Sequence, residues 1–287
     1  MNGILLLDKP LGLSSNAALQ KTRRMLGASK AGHVGSLDPL ATGMLPICLG
    51  EATKVAGDIL SGRKLYRFTV GLGTRTSTGD TEGEVVENSA VPAFDEARLD
   101  AVLKQFLGLQ SQIPPMYSAL KKDGQPLYKL ARAGIEVERA AREIEISSLT
   151  PKACSESHLD LEVLCSKGTY VRTLAEDIAK ALGTCGHVQA LRRVYVEPFV
   201  DAPMETLETV AAGPRILPAD APLQHMSAVK LDSRATAQIL HGQPVITAEL
   251  IAAGRVRLYD ALGTFIGIGE SDGAGGVSPK RLFRGEP

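Results

Sequence analysis

The sequence has no tryptophan, and aromatic residues fill only 4% of its 287 positions. A core of any size must therefore be aliphatic, and a hydrophobic content of 44% can supply one. Cysteine is scarce too. The four cysteines (Cys48, Cys154, Cys165, Cys185) form no C-x-x-C pair and no metal-ligand spacing. Cys48 in LPICLG and Cys165 in LEVLCS sit in apolar, strand-like runs where a buried thiol is expected. This cysteine usage predicts a reducing, cytoplasmic setting. The five histidines make no H-x-x-H or similar cluster, which argues against a zinc site. No apolar run approaches a membrane span in length. MNGILLLDKPLG has a short apolar centre and no basic flank, so it reads as a first strand rather than a signal peptide.

Net charge is the last absence, with 32 basic and 32 acidic residues. A neutral chain is not an indiscriminate polyanion binder. The charges are unevenly placed, however. Residues 9–37 carry Lys9, Lys21, Arg23, Arg24 and Lys30 and no acid. In 115–134, Lys121, Lys122, Lys129 and Arg132 stand against Asp123 alone. Arg192-Arg193 and Lys280-Arg281 add smaller basic clusters, whereas acids gather in 94–100 and 142–146. Basic patches on a neutral protein fit one particular polyanionic partner.

SSNAALQKTRRMLG (14–27) predicts a helix capped by Ser15 or Asn16, with cations in its last turn and Gly27 at its end. MLPICLG (44–50) and KLYRFTVGLG (64–73) predict strands, with a glycine-bounded helix between them at 50–62. TRTSTGDTEGEVV (74–86) reads as a long exposed loop and lacks the G-x-x-x-x-G-K-[ST] order of a phosphate loop. Helices are expected at 93–108 and in PLYKLARAG, and strands in REIEISSL and HLDLEVLCS. GTYVRTLAEDIAKALGT (168–184) is the clearest helix, with Leu174, Ile178 and Leu182 on one face, and HVQALRRVYVEPF (187–199) is a further strand. The strands are not regularly separated by long helices. The expected fold is therefore α+β, with a mixed, mainly antiparallel sheet flanked by helices. Residues 202–223 read as a connector, and 227–245 and 255–272 as a small β-rich module, giving a division into 1–225 and 226–287.

Between Lys9 and Gly50 there is one acid, Asp38, in the glycine-punctuated run GHVGSLDPLATGMLPICLGEATK (32–54). An Asp before Pro commonly does no more than start a turn. Here, glycines at 32, 35 and 43 permit close approach of the backbone, and Leu37, Pro39, Leu40 and Met44 supply apolar walls. A carboxylate in such a place needs a cation or it protonates. Arg172, in KGTYVRT, is a candidate, although helical spacing also permits a surface pair with Glu176.

These residues carry a resemblance. GHVGSLDPLATGMLPICLGEATK, KLYRFTVGLGTRTSTGDTEG, IPPMYSALKKDGQPLYKLAR, CSKGTYVRTLAEDI and HVQALRR, in this order across most of 1–200, resemble the bacterial tRNA pseudouridine(55) synthase family. The C-terminal tail is similar in position and size to the PUA module of that family. The resemblance implies the pseudouridine synthase fold and isomerisation of a T-loop uridine in tRNA, with no cofactor. It implies Asp38 as the catalytic carboxylate, Arg172 as the guanidinium that keeps it ionised, and Tyr66 as the tyrosine against the base. His33 is implied to contact RNA near the flipped nucleotide, and Tyr170 and Leu191 to line the pocket. The basic insertion at about 115–142 is implied to close on the T-arm stem-loop, with Lys121, Lys122, Lys129 and Arg132 on phosphates. Lys280, Arg281 and Arg284 are the candidate RNA contacts of the tail. A monomer without an obligate protein partner is expected. The alternatives are a non-catalytic RNA-binding or folding-assisting protein, an RNA-guided relative, and an Asp-nucleophile glycosidase. The last would normally pair two carboxylates, and this segment offers one.

Overall fold

In a computed structural model, residues 1–283 are described except Ala119, Asp123 and Ala248, along with the side chains of Lys121, Pro126 and Arg132. Arg284 and Asp123 thus lie outside the described residues. The chain begins with β1 (Gly3–Lys9), α1 (Ser15–Met25), β2 (Ala31–His33), β3 (Ala41–Leu49), α2 (Ala56–Ser61) and β4 (Lys64–Leu72). A small hairpin of β5 (Thr74–Thr76) and β6 (Val85–Asn88) leads to α3 (Glu96–Lys104) and β7 (Gly108–Gln112). The basic insertion holds β8 (Lys121–Lys122), β9 (Gln125–Pro126) and α4 (Leu127–Arg132). Then come β10 (Arg142–Cys154), β11 (His158–Cys165), α5 (Val171–Leu182), β12 (Gly186–Val196) and α6 (Leu207–Ala212). The chain closes with β13 (Ser227–Lys230), α7 (Ser233–Leu240), β14 (Val245–Ile246), β15 (Gly254–Tyr259), β16 (Phe265–Ser271) and β17 (Gly276–Leu282).

Eight strands form the main sheet, ordered β1-β3-β12-β4-β11-β10-β7, with β2 on β3. Its pairings are antiparallel except β12 on β3, which runs parallel through Leu191↔Ala41 and Arg193↔Gly43. The mixed, mainly antiparallel α+β expectation describes this sheet. β3 is buried at almost every position because both of its faces are covered, so its sequence is a continuous apolar run. Strand alternation then divides the core. Leu5, Leu7, Leu45 and Ile47 face one aliphatic cluster with α1, α3 and α5, while Ile4, Leu6, Met44 and Cys48 face another. That second cluster takes in Ile268 of β16 and Phe283, just after β17, from the C-terminal region, whose strands form their own five-stranded sheet, β13-β15-β16-β17-β14. Arg255 to Asp58, at 2.6 Å, and the Lys54 ammonium to the Leu282 carbonyl, at 2.7 Å, tie the two sheets further.

α5 buries Val171, Leu174, Ala175, Ile178 and Leu182 against the sheet and ends at Gly183, whose φ of +92° only glycine adopts without strain. Each buried leucine or isoleucine contributes about 1.5–3 kcal/mol. This anchors α5, with Val171-Arg172 at its start, against the central strands β12 and β4.

Three local expectations are corrected. Ser14 caps α1 by accepting from the Ala17 N–H, and Ser15 is instead buried and turned toward the loop after β2. The helix expected at 50–62 is a 3-10 segment, Gly50–Val55, followed by α2. The stretch 74–86 is a hairpin rather than an exposed loop, with Thr76 and Asp80 both buried. Its polar composition hid the fact that its side chains satisfy one another, since the Thr78 hydroxyl and the Glu82 N–H both bond the Asp80 carboxylate.

Candidate active site

The loop between β2 and β3 is held before Asp38 is reached. The buried Ser15 hydroxyl accepts from the Leu37 N–H at 2.7 Å and donates to the Leu37 carbonyl at 2.9 Å. Ala41 N–H then bonds the Asp38 carbonyl at 3.0 Å, closing the turn through Pro39. Gly43 has φ +98°, and a Cβ there would lie 2.1 Å from the Arg193 carbonyl oxygen, so only glycine lets β3 lie against β12. Sequence and backbone thus fix where the one acid of this stretch points.

It points at Arg172. The Arg172 Nε lies 3.0 Å from the Asp38 carboxylate and 3.7 Å from that of Asp80. Its remaining nitrogens donate to the Thr78 carbonyl at 2.8 Å and the Tyr117 carbonyl at 2.7 Å. The surface pair with Glu176 is not what Arg172 makes; its side chain is 7% exposed and turned inward. The two acids differ in access, with 41% of the Asp38 side chain exposed against 3% of Asp80. Asp38 can touch a substrate, and Asp80 sits behind the guanidinium.

Burial pushes the Asp38 carboxyl above its ordinary value, against the pull of Arg172, while Asp80 pushes it further up and Lys9 pulls it down. Arg172 therefore limits the rise without reversing it. Lys9 itself is fully buried and desolvation brings its ammonium down to about 8. It donates to the carbonyls of Pro10, Leu13 and Pro39, the last of these the residue after Asp38.

Asp38 and Arg172 open into a cavity of about 750 Å³. His33, Tyr66, Tyr170 and Leu191 line the same cavity, so six of the eight residues singled out from the sequence meet here. Tyr66 projects from β4, and burial pushes its phenol up while Arg193 pulls it down. The His33 imidazole is pushed down by burial and by Arg193, and is neutral at pH 7, its Nδ1 buried without a partner. Leu191 is a buried wall on β12. Tyr170 caps the N-terminus of α5, and its backbone N–H and carbonyl are both held by the Gln112 carboxamide, at 2.8 and 3.2 Å. The strand of Lys121 and Lys122, β8, lies in the insertion next to Leu120, which lines the cavity; the Lys122 ammonium reaches the Glu138 carbonyl at 3.5 Å.

Sequence reasoning missed four residues around this cavity. Asp80 stood in a Thr- and Gly-rich run that hydropathy reads as solvated. Ser15 looked like a helix cap. Gln112 gave no signal, because nothing local shows that it reaches Tyr170. Arg193 was noted only as half of a basic pair. In the C-terminal sheet, Lys280 pairs with Glu270 at 2.5 Å and Arg281 donates to the Lys54 carbonyl.

Comparison with known proteins supports the same reading. A family model for the TruB family pseudouridylate synthase N-terminal domain matches residues 23–171. Models for the tRNA pseudouridylate synthase B C-terminal domain and the pseudouridine synthase II TruB C-terminus match 172–224 and 227–283. The tRNA pseudouridine synthase B of Stutzerimonas stutzeri strain A1501 is 49% identical, covering 100% of this chain and 97% of the relative. That of Hydrogenovibrio crunogenus is 48% identical over 100% of this chain and 95% of its own length. Among solved structures, a chain of a Cbf5-Nop10-Gar1 complex matches with a TM-score of 0.72, covering 98% of this chain and 85% of that one. At 23% identity that likeness speaks to the fold alone.

Proposed function

The chain belongs to the TruB family of pseudouridylate synthases, and from that premise we propose that it isomerises uridine 55 in the T-loop of tRNA, with Asp38 as its essential carboxylate. The observation that carries the reading is the Asp38–Arg172 pair, 3.0 Å apart, opening into the one cavity that also holds Tyr66. The reaction breaks the N1–C1′ bond of uridine, turns the base, and makes a C5–C1′ bond. The C5 proton leaves to solvent and N1 regains one, so nothing is oxidised and no cofactor enters the balance. One solvent-facing carboxylate held by a guanidinium supplies the negative group this chemistry needs at the sugar or base.

The other residues take supporting roles. Tyr66 stands against the uracil ring, where its phenol can relay the C5 proton. Extrusion of the base costs a few kcal/mol of stacking, and the flat, neutral His33 imidazole can fill the gap it leaves. Tyr170 and Leu191 wall the pocket. A glycosidase would pair two carboxylates at the scissile bond. Asp80 is buried behind Arg172, and the other acid lining the cavity, Glu143, is an exposed residue of β10 that makes no hydrogen bond or ion pair with Asp38 or Arg172. The insertion, through Lys121 and Lys122, grips the T-arm by its phosphates. We take 1–225 as the catalytic domain and 226–287 as a PUA-like RNA-binding module, a division supported by their separate sheets. Among the described residues no helix is long and apolar enough to cross a membrane, and the enzyme is read as a cytoplasmic monomer.

An unmodified tRNA transcript tritiated at uridine C5 tests the proposal. Wild type should release about one equivalent of tritium per tRNA, reflecting the single site, and Asp38→Asn none while still binding tRNA. A wild type that binds tRNA and releases nothing would sink the catalytic reading and leave an RNA-binding protein.

A further inference from the structure

Four cations around the catalytic cavity are buried: Lys9, Lys64, Arg172 and Arg193. Three are accounted for. Lys9 holds the turn after Asp38, Arg172 pairs with the two aspartates, and Lys64 donates to the Leu60 and Gly62 carbonyls at the start of β4. Arg193 is the most thoroughly enclosed of the charged groups that line the cavity, at 1% exposure, and makes no ion pair among the described residues. A guanidinium in that state is costly unless its donors do something specific.

Its donors converge on the loop that carries Asp38. The Nε donates to the Met44 carbonyl at 2.7 Å and one terminal nitrogen to the Gly35 carbonyl at 2.9 Å. Gly35, three residues before Asp38, has φ +70°, and a Cβ there would stand 3.2 Å from the other terminal nitrogen. Gly43, five residues after Asp38, is paired with Arg193 in the parallel ladder and lies against its backbone. The loop thus wraps Arg193, backbone on one side and guanidinium on the other. On its far side Arg193 is the cross-strand partner of Tyr66, and both residues line the cavity.

We propose that Arg193 is a positioning residue for the reaction, holding the Asp38 loop and the Tyr66 hydroxyl in one fixed relation so that carboxylate and phenol meet the same uracil ring. The proposal rests on the reading of Asp38 and Tyr66 given above. Other charged or titratable groups facing the pair are Lys9, His33 and Lys64 around Arg193, and Asp38 and Cys165 around Tyr66.

The test uses full-length Arg193→Lys, which keeps the charge and loses the fork, and Gly35→Ala, which keeps Arg193 and crowds it. Single-turnover tritium release at saturating enzyme should fall about a hundredfold in Arg193→Lys, the size of a misplacement of about 1 Å. The Kd for tRNA should stay within about twofold, since no phosphate contact is lost. With tyrosines labelled at 13Cζ, the resonance that disappears in Tyr66→Phe should shift in both variants at constant pH. In a Tyr66→Phe background, Arg193→Lys should cost less than in wild type, because the two act together. Unchanged release, an unmoved Tyr66 resonance, or full additivity would each overturn the proposal. Wild type failing to release tritium would instead overturn the reading of the reaction itself.

Discussion

On the pocket floor, Asp38 is held by Arg172, its loop by the Ser15 hydroxyl and the Arg193 guanidinium, and the whole assembly rests on strands buried on both faces. Between Pro115 and Arg142, by contrast, Leu127 is the one apolar side chain buried among the described residues, and Ile135 is half exposed. The backbone bonds there are largely within the segment, as from Tyr128 to Ser118 and from Leu127 to Leu120. Among the described residues, the Tyr117 carbonyl on Arg172 joins it to the floor, as does Gln112 on Tyr170 at its root. Chemistry needs groups preorganised in a dry, packed setting, which the floor supplies. Grip on a polyanion needs reach and charge, and an element with little buried apolar area opens at low cost. The two tasks are carried by different material, and substitutions should separate them.

The largest effect belongs to the second acid of the floor. Asp38 must be ionised to act, so the rate falls as pH drops through its pKa, which burial and the Asp80 charge hold above the ordinary value. Asp80→Asn removes a group that raises that pKa. The acid limb of the pH–rate profile should therefore move to lower pH. The plateau should drop about tenfold to a hundredfold, as Arg172 loses one of the acids that orient it. A limb that stays in place, or moves upward, would show that Asp80 does not act through Asp38.

Ser15→Ala strikes the same floor with less force. It leaves the Leu37 N–H and carbonyl without their partner in a buried place, at a cost of about 1–3 kcal/mol. For a chain of this size Tm should fall by about 2–10 °C, with tRNA affinity unchanged. Thermal unfolding followed beside tRNA binding checks this; a loss of affinity without a loss of Tm would mean that Ser15 serves the RNA rather than the loop.

What could be read in advance follows the same division. The strands and helices of the floor were legible because burial on both faces writes long apolar runs and clean helical periods, as in β3 and α5. Asp38 stood out by the absence of other acids, and the motif resemblance brought Tyr66, Arg172, His33, Tyr170 and Leu191 to it. Contacts made across the chain left no local trace. Asp80 meets Arg172 from 92 positions away in a run that looks solvated, Ser15 meets Leu37 across a helix, and Arg193 meets Gly35 through the sheet. Polar residues that satisfy one another inside a fold have the composition of residues that face water, and sequence alone cannot tell the two apart.

The smallest expected effect lies in the insertion and sharpens the contrast most directly. Replacing Lys121 and Lys122 together by alanine alters neither Asp38, Arg172 nor Tyr66, although Leu120 beside them lines the cavity. If the pair neutralises two phosphates, KM for tRNA should rise about threefold to tenfold, and the salt slope of binding should shrink by about 1.5–2. The rate at saturating tRNA should hold, because Asp38, Arg172 and Tyr66 keep their places. Steady-state kinetics across a salt series measures both quantities. A fall in the saturating rate would mean that closure of the insertion, through the Tyr117 carbonyl on Arg172, sets the catalytic pair, and that floor and grip are not separable after all.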